Sequence, residues 1–193
     1  MESGLAAFNW LKAHPAIDAS RIVLNAVSFG SYFAPLAAIA IGDELKASAV
    51  AAVCHEPGCN TIFNMASPTF KTRFMFMSGY EDEDAFDTFV QGFDLRPVIG
   101  ELKTPLLIVA GEDDHLSPIE HTHDLFERIV APKTLVVYEG ADHGIGHASS
   151  VQLGPNWLVL IADWLEDRIA DRPQETGRVF IDSAGRRHLV NGG

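Results

Sequence analysis

Disulfides have no part to play in this chain. Its 193 residues hold two cysteines, Cys54 and Cys59, which sit beside an expected strand end rather than in a spaced framework. A reducing compartment suits them, and Cys54 reads as a core residue. Cations are scarce as well: 14 Lys and Arg stand against 26 Asp and Glu, a net charge of −12. Phosphate binding draws on clustered Lys and Arg, so nucleic acid is not an expected partner; the acidic excess speaks for solubility alone. Long apolar runs are missing too. The longest stretches, such as Leu36–Ile41 or that around Leu158–Ala162, fall far short of the roughly 20 residues that cross a bilayer, so no membrane partner is expected. Met1, Glu2, Ser3 and Gly4 lack the basic start of a secretory signal, and a cytoplasmic location is expected. No repeat or low-complexity tract is visible. What remains is a chain with 47% apolar residues, enough for one domain with a real core and too short to need two.

Periodicity supplies an order of elements. Leu5, Phe8 and Leu11 recur at helical spacing, and Pro15, Asp18 and Ser20 then impose a loop. Residues 21–27 are a short β-branched run bounded by turn residues, the mark of a strand buried on both faces of a parallel sheet. A helix-competent, Ala-rich segment follows to Ile41, and further buried strands are expected at 47–54, 105–110 and 134–138. Helices are expected over 118–130, with an acidic first turn, and over 157–169, with Trp164 and Leu165 on the apolar face. Such alternation implies a parallel sheet covered on both sides. Residues 60–102 interrupt it with many Phe and Met and the acidic run 81–84; a small helical insertion covering substrate is expected there, although each aromatic taken singly serves equally as core. Residues 178–181 and 188–190 flank Asp182, Ser183, Ala184 and Gly185 as an appended β-hairpin.

Three strand ends deliver residues able to do chemistry. Ser28 follows a buried strand and precedes a helix, with the small residues Ala26 and Gly30 two positions either side, as a nucleophile on a sharp turn requires. The plainer role is a serine capping a helix. The same turn aims the Phe29 amide toward a developing oxyanion. Residues 106–110 then empty into Gly111, Glu112, Asp113 and Asp114 before Pro118. A carboxylate at the C-terminal end of a strand is where an open α/β sheet places its site; Asp114 is the preferred acid, with Asp113 and Glu112 as alternatives. Finally His143 follows residues 134–138 and stands before Gly144 and Gly146, making it the base candidate; His147 competes, or binds substrate. The order Ser, Asp, His is the one this kind of sheet imposes. His115, His121 and His123 invite a metal reading, but His-x-His at a helix start points its rings to different faces, and no metal is expected.

These segments, with residues 17–23, 28–35, 105–114, 135–143 and 161–165 carrying the likeness, resemble the α/β-hydrolase superfamily. Within it they are similar to the FrsA-like and prolyl-oligopeptidase-like esterase branch that includes the pseudooxynicotine hydrolases. The similarity spans Ile17 to about Arg172. It implies an α/β fold: the C-terminal part of an α/β-hydrolase domain over 1–172, mostly parallel, helices on both faces, the insertion at about 60–102, and a 173–193 tail. The implied activity is that of a serine hydrolase acting on a small-molecule ester through Ser28, Asp114 and His143, with Phe29 in the oxyanion hole and no cofactor. Hydrolysis of a C–C bond in a diketone-like substrate stays open with the same triad, assisted by Glu56, whose plainer reading is a solvated loop carboxylate. Two departures stand out: Ala26 and Ser31 replace the more usual glycines. A larger one is that the superfamily has several strands before the nucleophile strand, one bearing the second oxyanion donor, so the sequence is expected to be N-terminally truncated. A third reading is therefore a non-catalytic remnant, which folds with a partner chain or as a homo-oligomer through its first strand edge.

Overall fold

A computed structural model describes residues 2–145, 155–174 and 176–190. Helix α1 (Glu2–Ala13) buries Phe8. A short turn, held by the Asp18 side chain accepting the Ser20 N–H, leads to strand β1 (Val23–Val27). Then come α2 (Gly30–Ile41), β2 (Ala47–Ala51), the insertion helices α3 (Asn60–Met65), α4 (Phe70–Ser78) and α5 (Glu83–Val90), and β3 (Leu106–Gly111). Helix α6 (Ile119–Arg128), β4 (Lys133–Tyr138), α7 (Trp157–Ile169), β5 (Gly177–Ile181) and β6 (Arg187–Val190) complete the order. Among the described residues no helix is long and apolar enough to cross a membrane.

The strands form one sheet in the order in which they occur in the chain. Strands β1 to β5 run parallel, and β6 turns back antiparallel to β5. Side chains alternate between faces along a strand, and this decides the layers. Val50, Ile108, Ala110, Leu135 and Val137 pack with Phe8, Ala38, Leu125 and Phe126 from α1, α2 and α6. Their neighbours Ala49, Ala51, Leu107, Val109 and Val136 pack with Ile161 and Leu165 of α7. Strand β2, written Ala-Ser-Ala-Val-Ala, is buried throughout, and its small residues let α7 lie close. Leu107, Ile108 and Leu135 are fully buried, each contributing about 1.5–3 kcal/mol.

Strand β2 stops at Ala51 instead of reaching Cys54, because Ala52 takes a left-handed conformation (φ 48°) that ends the pleat. The insertion is helical, and Phe63 and Phe86 are buried in a separate cluster with Phe29 and Cys54. Phe76 and Met77 of α4 are exposed, so its aromatics are only in part core. The C-terminal hairpin does not stand apart. Its first strand pairs with β4 from Thr134 beside Gly177 to Tyr138 beside Ile181, which makes it an extension of the main sheet. Helices α2 and α6 connect their strands across one face while α7 crosses on the other, back over β2 and β3. Since the strand order keeps advancing in one direction, the α7 crossover has the opposite hand to theirs.

Candidate active site

Strand β1 ends at Val27 and the chain reverses at Ser28, whose φ of 56° is left-handed. That turn is fixed by the Ser28 N–H donating to Ala51 O at 2.9 Å and the Ser31 N–H donating to Ser28 O at 2.8 Å. A Cβ at Gly30 would lie 3.3 Å from the Ala26 Cβ, a tight approach that suits small residues at both positions. From here the Ser28 hydroxyl lies 2.8 Å from His143 Nε2. His143 Nδ1 lies 2.8 Å from Asp114 Oδ2. With a carboxylate as its partner, Nδ1 carries the hydrogen, which leaves Nε2 to accept from the serine hydroxyl.

Asp114 is held rigidly. Its side chain is 2% exposed, and Oδ1 accepts the Leu116 and Ser117 N–H groups at 2.9 and 3.0 Å. One oxygen thus belongs to the loop and the other to the imidazole. The loop carrying His143 is pressed against the end of β3: a Cβ at Gly111 would fall 2.2 Å from Ala141 O and 2.5 Å from Asp142 O. Glycine is required there, a need the sequence reading did not register. Ile145, two residues past His143, is buried with φ 37°. Left-handed backbone at a β-branched residue is a costly conformation, and it ends the described part of this loop.

The remaining candidates take other places. Glu112 Oε2 accepts the Gly140 N–H at 3.0 Å and the Asp113 N–H donates to Ala141 O at 2.9 Å. Both therefore tie the acid loop to the base loop, and Asp114 alone meets the imidazole. Phe29 precedes the first turn of α2, whose leading N–H groups lack intrahelical acceptors. Glu56 sits at the exit from β2 and accepts the Thr61 N–H at 2.7 Å, an N-terminal contact to α3; it makes no hydrogen bond to Ser28 or His143. His147 lies outside the described residues. Among those described, no group of three or more His, Cys, Asp or Glu is arranged to hold a metal ion. Cys54 and Cys59 are buried free thiols, and burial pushes the Cys59 thiol up to about 12 and Cys54 higher still.

A cavity of about 310 Å³ opens beside Phe29, walled by Phe33, Phe74, Phe86, Phe89 and Phe93. The Phe29 ring meets Phe74 edge-on at 4.5 Å and Phe63 at 5.4 Å. A second cavity of about 330 Å³ lies under α7, lined by Leu107, Thr134, Val136 and Trp164, away from these loops.

A parallel sheet whose first, third and fourth strand exits present a strained serine, a buried aspartate and a histidine between them has the architecture of the α/β-hydrolase fold. The chain belongs to the prolyl oligopeptidase family, whose profile matches residues 2–172. The search of curated proteins returned no match. Among solved structures it is similar to a 2,6-dihydroxy-pseudo-oxynicotine hydrolase (TM-score 0.76, 20% identity), covering 92% of this chain and 48% of that one. It is also similar to acetyl xylan esterase 1 from Thermoanaerobacterium (TM-score 0.62, 14% identity, 86% of this chain and 51% of that one). A third is dipeptidyl peptidase 4 from Porphyromonas gingivalis (TM-score 0.63, 19% identity, 89% and 22%). The chain thus spans about half the length, or less, of these three structures.

Proposed function

We propose that this chain carries the catalytic residues of a serine hydrolase that cleaves a small-molecule ester. The carrying observation is the continuous line from the Ser28 hydroxyl through the His143 ring to Asp114, both contacts at 2.8 Å. In this reading Ser28 Oγ attacks the ester carbonyl carbon as His143 Nε2 takes its proton, and Asp114 stabilises the imidazolium so formed. The oxyanion of the tetrahedral intermediate faces the Phe29 N–H at the start of α2. His143 then gives its proton to the departing alcohol oxygen, the C–O bond breaks, and an acyl group remains on Ser28. Water, deprotonated by His143, attacks that acyl carbon, releasing the acid and restoring the hydroxyl. The aromatic cavity beside Phe29 supports an apolar acyl or leaving group. The same triad serves amide or C–C hydrolysis, so substrate panels decide the bond cleaved.

A fluorophosphonate probe tests the reading, with the label mapped by mass spectrometry. Labelling at Ser28 is expected, with loss on the order of 10⁴-fold in His143→Ala, and p-nitrophenyl acetate turnover absent in Ser28→Ala. A folded chain that takes no label at Ser28 would overturn it in favour of the non-catalytic remnant.

A further inference from the structure

Ser28 and Asp114 are each followed, three residues on, by a buried serine. Both serines do two jobs. The Ser31 N–H donates to Ser28 O at 2.8 Å, and its hydroxyl accepts the Cys54 N–H at 2.7 Å. The Ser117 N–H donates to Asp114 Oδ1 at 3.0 Å, and its hydroxyl accepts the His55 N–H at 3.2 Å. Two consecutive amides of the segment leaving β2 are therefore taken by hydroxyls from the nucleophile turn and from the acid loop. A third attachment lies on the far side, where the His55 ring nitrogen Nδ1 is 3.1 Å from Thr122 Oγ1 in α6. All of these groups are buried: Ser31 and Thr122 are 0% exposed, Ser117 1%, Cys54 2% and His55 5%.

We propose that Cys54–His55 is a strut that sets the distance between Ser28 and Asp114, with Ser31 and Ser117 as the positioning residues at its two ends. Neither hydroxyl touches the reacting atoms. The physical reason for a strut is that Ser28 and Asp114 leave different strands, β1 and β3, which are not neighbours; β2 lies between them. Each loop taken alone can shift relative to the other. Two adjacent peptide groups that bind both loops limit that freedom, because the amide nitrogens of successive residues are joined through a single Cα and stay within about 3.6 Å of each other. Buried N–H groups left without a partner are costly, so each hydroxyl is a required acceptor. A displacement near 1 Å between nucleophile and acid is enough to lower a rate about 10²-fold. The inference concerns rate only insofar as the serine-hydrolase reading holds; the coupling between the two loops stands on the hydrogen bonds themselves.

The test uses the whole chain and two readouts. In Ser117→Ala, fluorophosphonate labelling of Ser28 per folded molecule is expected to fall about ten-fold, its pH profile to shift with the loosened acid, and Ser117→Thr to restore most of it. Amide hydrogen exchange is expected to quicken about ten-fold in residues 28–32 of Ser117→Ala, although the substitution lies on the other loop. Thr122→Val keeps the side-chain shape and reads the same strut from its far end. It is expected to give a smaller change, about three-fold, in the same direction, and serves where Ser117→Ala does not fold. If exchange at 28–32 is unchanged while residues 114–117 alone loosen, the strut does not exist. If the wild-type chain takes no label yet exchange at 28–32 responds to Ser117→Ala, the strut stands and the hydrolase reading falls.

Discussion

The loops leaving β1, β3 and β4 are held by different forces from the three-helix insertion, which packs on Phe29. At the loops, hydrogen bonds to buried groups fix each turn: Asp114 accepts two amides and the imidazole, while Ser28 and Ile145 hold left-handed backbone. The insertion depends on rings. Phe63, Phe74 and Phe86 interlock edge-on, with Phe63 and Phe86 at 5.2 Å and Phe63 and Phe74 at 5.4 Å. Its ion pairs, Lys71 with Glu83 and Asp87, have one exposed partner each and add little. Hydrogen bonds weaken steeply once their geometry is lost, whereas packed rings tolerate substitution provided volume is kept. The candidate triad is built from the first kind of contact and the aromatic cavity from the second.

The largest effect separating the two regions is expected in the insertion. Phe86 is 1% exposed, and Phe86→Ala should cost about 3–5 kcal/mol in urea unfolding, with Ser28 labelling per folded molecule little changed. Next comes the opposite pattern at Gly111→Ala. The new methyl would collide with the Ala141 and Asp142 carbonyls, so labelling should drop on the order of 10²-fold for a stability loss of about 1–3 kcal/mol. Equal losses in both quantities for both variants would erase the contrast. The smallest effect is set by pH. Burial holds the His55 imidazole down to about 3 from an ordinary 6.5, so the native ring stays neutral where the unfolded one takes a proton. Stability is therefore complete above about 6.5 and lost as pH falls from there toward 3. At pH 5 the loss relative to pH 7 should be about 2 kcal/mol, and His55→Gln should flatten that slope in thermal unfolding.

The same contrast governs how much the sequence disclosed. Ser28, Asp114 and His143 were legible because each is a chemically distinct residue at the exit of a recognisable buried strand, in the chain order the sheet enforces. Glu112 and Asp113 could not be separated from Asp114 by sequence, since all three follow the same strand; only the reach to the imidazole distinguishes them. Ser31 read merely as a replacement for glycine, and Ser117 drew no notice, because an acceptor for a distant amide leaves no local mark. Gly111 looked like the start of a loop, its need arising from a carbonyl thirty residues away. In the insertion, Phe74, Phe76 and Met77 occur within four positions, and Phe76 is 86% exposed. An apolar run without a single stripe does not tell which face turns inward. The strand limit at Ala51 was hidden for a related reason, since residues 52–55 stay buried after the pleat has ended.

Because neighbouring strands in the sheet are also neighbours along the polypeptide, each new strand finds its place beside one already synthesised. The Ser28 amide can meet its acceptor only once Ala51 has been made, and the carboxylate comes with the third strand. The imidazole comes last of the three. The contact between the Ser28 hydroxyl and the His143 ring can therefore form only after the fourth strand has docked and delivered its loop.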